Sequence, residues 1–155
     1  MQNSTNPIDF RCSCAITSSL DILGDRWILV IIKQMLIESV ETFKDFLERP
    51  EAIATNVLAK RLKLLEDIGL ITKSRRPDNN KTNYYHLTKE GLELAPVIVD
   101  LAIWSHRNLR SLNPTIGDYE ELEYIAKNKD TYCKKLIEGY KDRLERKSLY
   151  TIRMT

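Results

Sequence analysis

Apolar residues recur at helical spacing over residues 54–68, and polar residues fill the positions between them. Counted at about 100° per residue, one arc holds Ala54, Val57, Leu58, Leu62, Leu64, Leu65 and Ile68. Thr55 is a suitable N-cap residue, and Gly69 can adopt the left-handed conformation that stops a helix. The pattern therefore predicts a helix from about Thr55 to Ile68.

Two β-prone segments follow this helix directly. Ile71–Arg75 and Tyr84–Leu87 contain the β-branched and aromatic residues typical of strands, and residues 77–81 between them favour a solvated turn. An amphipathic helix joined to a hairpin by a single Gly is the outline of a winged helix. The basic hairpin, about residues 71–87, is the predicted wing.

Three shorter helices are predicted ahead of this pair. They are Ile16–Leu23, Arg26–Ile37 and Thr42–Glu48. Asp25 is placed to cap the second, which is apolar almost all round and is therefore expected at the centre of the core. Thr42 and Asp45 resemble a capping box at the start of the third. The third and fourth helices then form a helix-turn-helix.

The segments after the hairpin are predicted to be helical as well. Thr88 is the expected cap of a long helix towards Arg110, with Pro96 bending that helix rather than ending it. Tyr119–Leu144 returns to helix with one apolar stripe. This stripe must be buried on its own domain or on another chain. We favour a homodimer, because DNA-reading helices act in two-fold pairs.

The predicted fold class is mainly α with a small antiparallel β-hairpin. In this prediction residues 1–13 are a polar N-terminal arm, residues 14–110 form a winged helix-turn-helix DNA-binding domain, and residues 111–155 add a C-terminal helical extension for dimerisation.

Charge is distributed unevenly along the chain, although the net charge is only +2. Residues 52–83 carry seven Lys or Arg against three Asp or Glu, whereas residues 34–51 carry two against five and residues 111–147 carry eight against eight. The basic surplus lies on the predicted helix and hairpin. A helix that fits the major groove, with a cationic loop beside it, suits duplex DNA as the partner.

The candidate DNA-binding residues lie on the outward arc of the helix and in the hairpin. They are Thr55, Asn56, Lys60, Lys63, Lys73, Arg75, Arg76 and Lys81. Asn56 can bond adenine through both amide atoms, whereas Lys60 and Lys63 suit phosphate. The hairpin cations suit the minor groove or the backbone. The alternative for Asn56 and for the hairpin cations is a solvated side chain that contacts nothing, and for Thr55 it is the N-cap role alone.

Arg61 resembles a DNA ligand but falls inside the apolar arc. Its long side chain is therefore expected to lie along the core and to pair with a carboxylate, for which Asp21, Asp45 and Glu48 are the candidates. A structural role is favoured over a DNA contact.

Other functional classes have little support. With two His and five Gly, the sequence offers no catalytic constellation, no Gly-rich phosphate loop and no metal-ligand spacing, so we predict neither an enzyme nor a cofactor. The longest apolar runs are too short to span a bilayer, and three Cys fit a reducing compartment, so a cytoplasmic protein is expected. A winged helix that docks protein and reads no specific DNA is the alternative.

Four sequence motifs in order resemble the HxlR-type transcriptional regulators, a branch close to the MarR-type winged helices. They are Cys14-Ala15-Ile16 ahead of Leu20-Asp21-Ile22-Leu23-Gly24-Asp25-Arg26-Trp27, then Phe43-Lys44-Asp45-Phe46, then Leu58-Ala59-Lys60-Arg61-Leu62-Lys63-Leu64-Leu65-Glu66-Asp67-Ile68-Gly69-Leu70, and last Tyr85-His86-Leu87-Thr88-Lys89-Glu90-Gly91. The resemblance implies a homodimer that binds operator DNA and controls a neighbouring gene. It also implies that Cys14, with Cys12 two residues away, is a candidate redox sensor, although an inert cysteine is the simpler alternative. The effector stays unknown.

Overall fold

The computed structural model describes residues 7–77, 79–117 and 120–153, and confirms a mainly helical chain with one antiparallel hairpin. Within those residues the elements are α1 (Ala15–Leu23), α2 (Ile28–Glu38), α3 (Phe43–Leu47), α4 (Thr55–Asp67), β1 (Ile71–Arg76), β2 (Asn79–Leu87), α5 (Lys89–Leu92), α6 (Ala95–Asn108), α7 (Glu120–Lys127) and α8 (Lys129–Arg153). The order helix-turn-helix followed by hairpin is that of a winged helix.

The chain divides into two compact units, Met1–Gly91 and Leu92–Thr155. The sequence instead predicts a division near residue 110. The difference arises because α6 groups with the tail, as its buried Val99 and Ile103 pack against Ile125 and Cys133. The first unit contains both the helix-turn-helix and the wing.

Helix α2 lies at the centre of the first unit, as predicted. Its fully buried apolar side chains are Ile28, Ile31, Ile32, Met35 and Leu36. The helix begins at Ile28, two residues later than predicted. The reason is a turn in which the Asp25 carboxylate accepts the backbone N–H of Trp27 at 2.9 Å.

The capping box at the start of α3 is confirmed. The Thr42 hydroxyl accepts the N–H of Asp45 at 3.2 Å, and the Asp45 carboxylate accepts the N–H of Thr42 at 3.1 Å. These two bonds satisfy backbone donors that a helix start leaves without helical partners.

The N-cap predicted for α4 is wrong. Ala54 occupies that position without a side-chain bond, and its carbonyl already accepts the N–H of Leu58 at 2.9 Å. Thr55 is therefore inside the helix, with its side chain exposed. At the other end Gly69 has the predicted left-handed conformation, with φ of 79°.

The hairpin has longer strands and a shorter turn than the sequence predicts. Pairing runs from Ile71 opposite Leu87 to Arg75 opposite Asn83, and a bulge then brings Arg76 opposite Asn79. Asn79 supports this bulge, since its side chain accepts the N–H of Lys81 at 3.2 Å and donates to the hydroxyl of Thr82 at 3.0 Å. Asp78, expected in the turn, lies outside the described residues.

The wing is hydrogen-bonded to the segment just ahead of α3. The N–H of Tyr85 donates to the Glu41 carbonyl at 2.8 Å, and Thr42 forms an isolated antiparallel bridge with Tyr84. Thr42 therefore caps α3 and pairs with β2 at the same time.

The prediction of one bent helix after the hairpin is wrong. Thr88 does cap α5, where its hydroxyl accepts the N–H of Gly91 at 3.1 Å. This helix ends at Leu92, and Pro96 stands in the first turn of α6. A proline fits there because the first helical N–H groups have no partner within the helix.

The predicted tail helix is also divided in two. The break is at Asn128, whose side-chain amide donates to the Tyr124 carbonyl at 2.9 Å; the predicted start at Tyr119 lies outside the described residues. Most of the apolar stripe packs on α6 of its own chain, through Leu122, Ile125, Ala126, Tyr132, Cys133 and Leu136. Among the helices described, none combines the length and apolarity needed to cross a membrane.

Candidate nucleic-acid interface

Helix α4 has one buried face and one exposed face, as its periodicity predicts. Leu58, Leu62 and Leu65 are at most 2% exposed and hold the helix to the first unit. The opposite face exposes Thr55, Asn56, Ala59, Lys60 and Lys63. The four predicted helix contacts therefore share one solvent-facing surface.

The two lysines of this surface are in different environments. The Lys63 ammonium lies 2.9 and 3.0 Å from the two carboxylate oxygens of Asp67, one turn further on. Within the described part of the chain, the ion pairs of α4 are made by Arg61, Lys63, Glu66 and Asp67, and none involves Lys60. Lys60 therefore presents the less neutralised charge of the two lysines.

Three of the predicted wing residues are exposed and lie on the hairpin. Lys73 pairs with Glu66 of α4 at 3.3 Å, which connects β1 to the helix. The Arg75 side chain donates from Nε to Asn83 at 3.2 Å, and Lys81 is exposed near the turn. The structure thus places these cations in the same unit as the α4 face.

Arg76 differs from the other wing residues because its side chain turns towards the protein. Its guanidinium carbon is 4.0 Å from the centre of the Tyr84 ring, and its Nη2 is 3.5 Å from a carboxylate oxygen of Glu41. The sequence gives no sign of this arrangement, since Glu41 is 35 residues away from Arg76.

Arg61 has the structural role that was predicted, with a partner that was not. Its Nη2 donates to the Asp25 carboxylate at 2.6 Å, so Asp21, Asp45 and Glu48 are not the partner. Asp21 binds Arg11 instead, which ties the described end of the N-terminal arm to α1. The Asp25 contact holds α4 to the turn ahead of α2.

This ion pair predicts a pH-dependent contribution to stability. The hydrogen bond from Arg61 holds the pKa of Asp25 below its usual value, so the ion pair stabilises the fold above the unfolded-state pKa of about 4 and is lost as the pH falls through the lower folded pKa. Asp25→Asn is expected to reduce the free energy of unfolding by about 1–2 kcal/mol at pH 7, since both side chains are partly exposed. Urea unfolding at pH 7 and near pH 3 measures the difference.

The control is Asp142→Asn on α8, where the side chain is exposed. This substitution is expected to change the free energy of unfolding by no more than about 0.5 kcal/mol at either pH. If Asp25→Asn lowered the free energy of unfolding equally at both pH values, the effect could not be assigned to the carboxylate charge.

Cys14 is the N-cap of α1 and is exposed, as is Cys12. The backbone N–H groups of Thr17 and Ile16 at the start of this helix lower the pKa of the Cys14 thiol. The sequence suggests only Arg11 as a nearby cation, whereas the structure pairs Arg11 with Asp21. The helix start is thus the feature that sequence reasoning missed.

Comparison with known proteins agrees with this geometry. The model of the HxlR-like helix-turn-helix family matches residues 22–113, more than half of the chain. The uncharacterized HTH-type transcriptional regulator YvaP of Bacillus subtilis (strain 168) is 31% identical over 87 residues, which are 56% of this chain and 80% of YvaP. The HTH-type transcriptional regulator YodB of the same strain is 31% identical over 88 residues, 57% of this chain and 78% of YodB.

Two solved structures share the fold. The reduced form of the transcriptional regulator YodB superposes with a TM-score of 0.50 at 27% identity, covering 69% of this chain and 100% of that one. The redox regulator HypR in its oxidized form gives a TM-score of 0.55 at 24% identity, and the match covers 61% of this chain and 97% of HypR. The family match spans α2 to α6, including the helix-turn-helix and the wing. The chain therefore belongs to the HxlR-like helix-turn-helix family and is a transcriptional regulator, not an enzyme.

Proposed function

We propose that this regulator is a homodimer that reads a specific operator, with α4 in the major groove and the β1–β2 wing on the flanking backbone or minor groove. The observation that carries the proposal is the exposed face of α4, on which polar and cationic residues stand opposite a buried leucine face. A helix held by one side and unobstructed on the other within its own unit can enter a groove of duplex DNA.

The residues have separate roles in this proposal. Asn56, in the first turn of α4, reads a base edge, and Thr55 contacts a phosphate or a thymine methyl group. Lys60 and Lys63 bind phosphates, which adds affinity that depends on salt but carries no sequence information. In the wing, Lys73, Arg75 and Lys81 approach the backbone or the minor groove, where Arg76 was also expected.

The proposed dimer contact lies on α6. Val97, Leu101 and Trp104 recur at helical spacing and are 38%, 46% and 55% exposed. We assign this face to a second copy of the chain, since a reader of two half-sites needs a two-fold partner. The apolar stripe of the tail is less suited to a dimer contact, because most of its residues already pack on α6 of the same chain.

Asn56→Ala tests the specific reading of DNA. Loss of a bidentate contact to adenine is expected to reduce discrimination between the operator and a variant base pair by about 1–3 kcal/mol, with little effect on binding to random duplex. Footprinting upstream of the protein's own gene and its neighbours would locate the operator, and anisotropy titrations would give the affinities.

A matched control is Ser74→Ala on the exposed side of β1, which removes one polar group outside α4. It is expected to leave discrimination unchanged. Equal affinity of the wild type for operator and random duplex would contradict the proposal and favour a protein-docking module.

We also propose that Cys14 responds to oxidants. Cys14 is exposed and the pKa of its thiol is lowered, whereas burial raises the pKa of the Cys133 thiol, so Cys14 is the more reactive of the two. Iodoacetamide is therefore expected to label Cys14 about tenfold or more faster than Cys133 at pH 7. Peptide mapping by mass spectrometry at timed intervals measures both rates.

Hydrogen peroxide then tests whether this reactivity matters for DNA binding. A peroxide converts a thiolate to a sulfenic acid with release of hydroxide, and this change is expected to alter operator affinity in the wild type and not in Cys14→Ser. The same response in both proteins would show that Cys14 is not the sensor.

A further inference from the structure

The backbone contacts that join the wing to the segment ahead of α3 lie at the middle of the hairpin. The two backbone contacts described above involve Tyr84 and Tyr85, which pair with the middle of β1. The proposed DNA contacts Arg75 and Lys81 lie further towards the turn. Backbone contacts at the middle of the hairpin leave the part beyond them, towards the turn, weakly held, since an isolated two-stranded hairpin is marginally stable.

Side chains add a second attachment further along the hairpin. Arg76, at the bulge, stacks its guanidinium 4.0 Å from the Tyr84 ring centre and approaches Glu41 at 3.5 Å. The Glu41 side chain is 10% exposed and that of Arg76 is 31% exposed. The Arg76 guanidinium therefore contacts both an aromatic ring of β2 and a largely buried carboxylate of the segment ahead of α3.

We propose that Glu41, Arg76 and Tyr84 form a clamp that fixes the position of the wing for DNA binding. Glu41 is a positioning residue in this arrangement, and Arg76 acts through the clamp instead of as a ligand of DNA. The inference rests on the proposed function, in which the wing contacts the duplex.

The clamp predicts that removal of the Glu41 charge weakens DNA binding, whereas simple electrostatics predicts that it strengthens binding. Removing a negative charge from a DNA-binding unit ordinarily strengthens binding to phosphates. If Glu41 holds the wing in place, its removal weakens binding, because Arg75 and Lys81 are no longer held where they meet the backbone. A bystander Glu would not give this result.

The experiment compares operator affinity of the wild type, Glu41→Gln, Arg76→Gln and the double variant over a range of salt concentrations. Each single change is expected to weaken operator binding about fivefold to tenfold. The double variant is expected to bind no more weakly than the weaker-binding single variant, because both changes break the same clamp. Arg76→Lys keeps the charge but not the planar stacking group, so it is expected to behave as Arg76→Gln does. Thermal unfolding verifies that each variant folds.

Glu48→Gln is the matched control. Glu48 follows α3 in the same unit and pairs only loosely with Lys44, at 3.6 Å. The change removes the same charge and is expected to leave operator affinity equal or slightly higher.

Hydrogen exchange of the protein without DNA tests the clamp separately from DNA binding. Backbone amides of β1 and β2 near Arg76 are expected to exchange about tenfold faster in Glu41→Gln, while α4 amides keep their wild-type rates. Tighter operator binding by Glu41→Gln, losses that multiply in the double variant, or unchanged wing exchange would overturn the clamp. Equal binding of operator and random duplex by the wild type would instead overturn the proposed function.

Discussion

Lys60→Glu is expected to weaken operator binding by about 100-fold or more at physiological salt. The change removes a proposed phosphate contact from the exposed face of α4 and places a like charge beside the phosphates. Lys60 is the appropriate site, because Lys63 already has Asp67 at 2.9 Å. Anisotropy titrations at several salt concentrations measure the affinity and its salt dependence.

The neutral variants test the difference between the two lysines. Lys60→Gln is expected to lower the slope of log affinity against log salt by about 0.9, the value for one phosphate contact on duplex DNA. Lys63→Gln is expected to lower it less, since Lys63 must leave Asp67 to reach a phosphate. Lys135→Glu, at an exposed position on α8, makes the same charge change as Lys60→Glu and serves as its control. A comparable loss in Lys135→Glu would indicate an effect of net charge alone.

Leu101→Glu combined with Trp104→Glu is expected to convert the proposed dimer to monomers. Burying two carboxylates in an apolar contact costs several kcal/mol without partners for their charge. Operator affinity is expected to fall by about 100-fold or more, because two half-sites are then bound by separate molecules and the advantage of linkage is lost. Analytical ultracentrifugation and DNA titrations measure the two effects.

Conservative and matched variants separate dimer contact from damage to the helix. Trp104→Phe keeps an aromatic side chain and is expected to remain dimeric with wild-type affinity. Lys135→Gln alters charge in the same unit and is also expected to remain dimeric. A wild type that sediments as a monomer, or a double variant that remains a dimer, would contradict the assignment of the α6 face.

Helix α4 was predictable because its signals are local. Leu58, Leu62 and Leu65 repeat at the helical period, so the direction of Lys60 follows from geometry alone. Gly69 and the Thr42 capping box are likewise determined by a few neighbouring residues. The cap of α4 was not predictable in the same way, since Ala54 holds that position without any side-chain bond.

Contacts between distant residues could not be predicted from the sequence. Arg61 was expected inside the apolar arc, but its partner depends on where the turn ahead of α2 lies, and Asp25 is 36 residues away. The same holds for Arg76 and Glu41. Charge counting treats every cation alike, whereas the structure separates Lys60, which faces solvent, from Arg76, which is engaged with the protein.

Apolar periodicity likewise does not say what covers an apolar residue. The tail and α6 both have apolar stripes, and the sequence favoured the tail for dimerisation. In the structure Val99 and Ile103 cover the tail stripe, while Leu101 and Trp104 on the same helix are left exposed. Which stripe is covered depends on packing within the second unit.

Thr42 has a consequence for the way the protein opens. Because its side chain caps α3 while its backbone pairs with Tyr84 of β2, separation of the wing disturbs the first turn of α3 as well. Local fluctuations of the hairpin and of α3 then belong to one cooperative step. A duplex that binds the wing is therefore expected to slow the opening of the first turn of α3 as well.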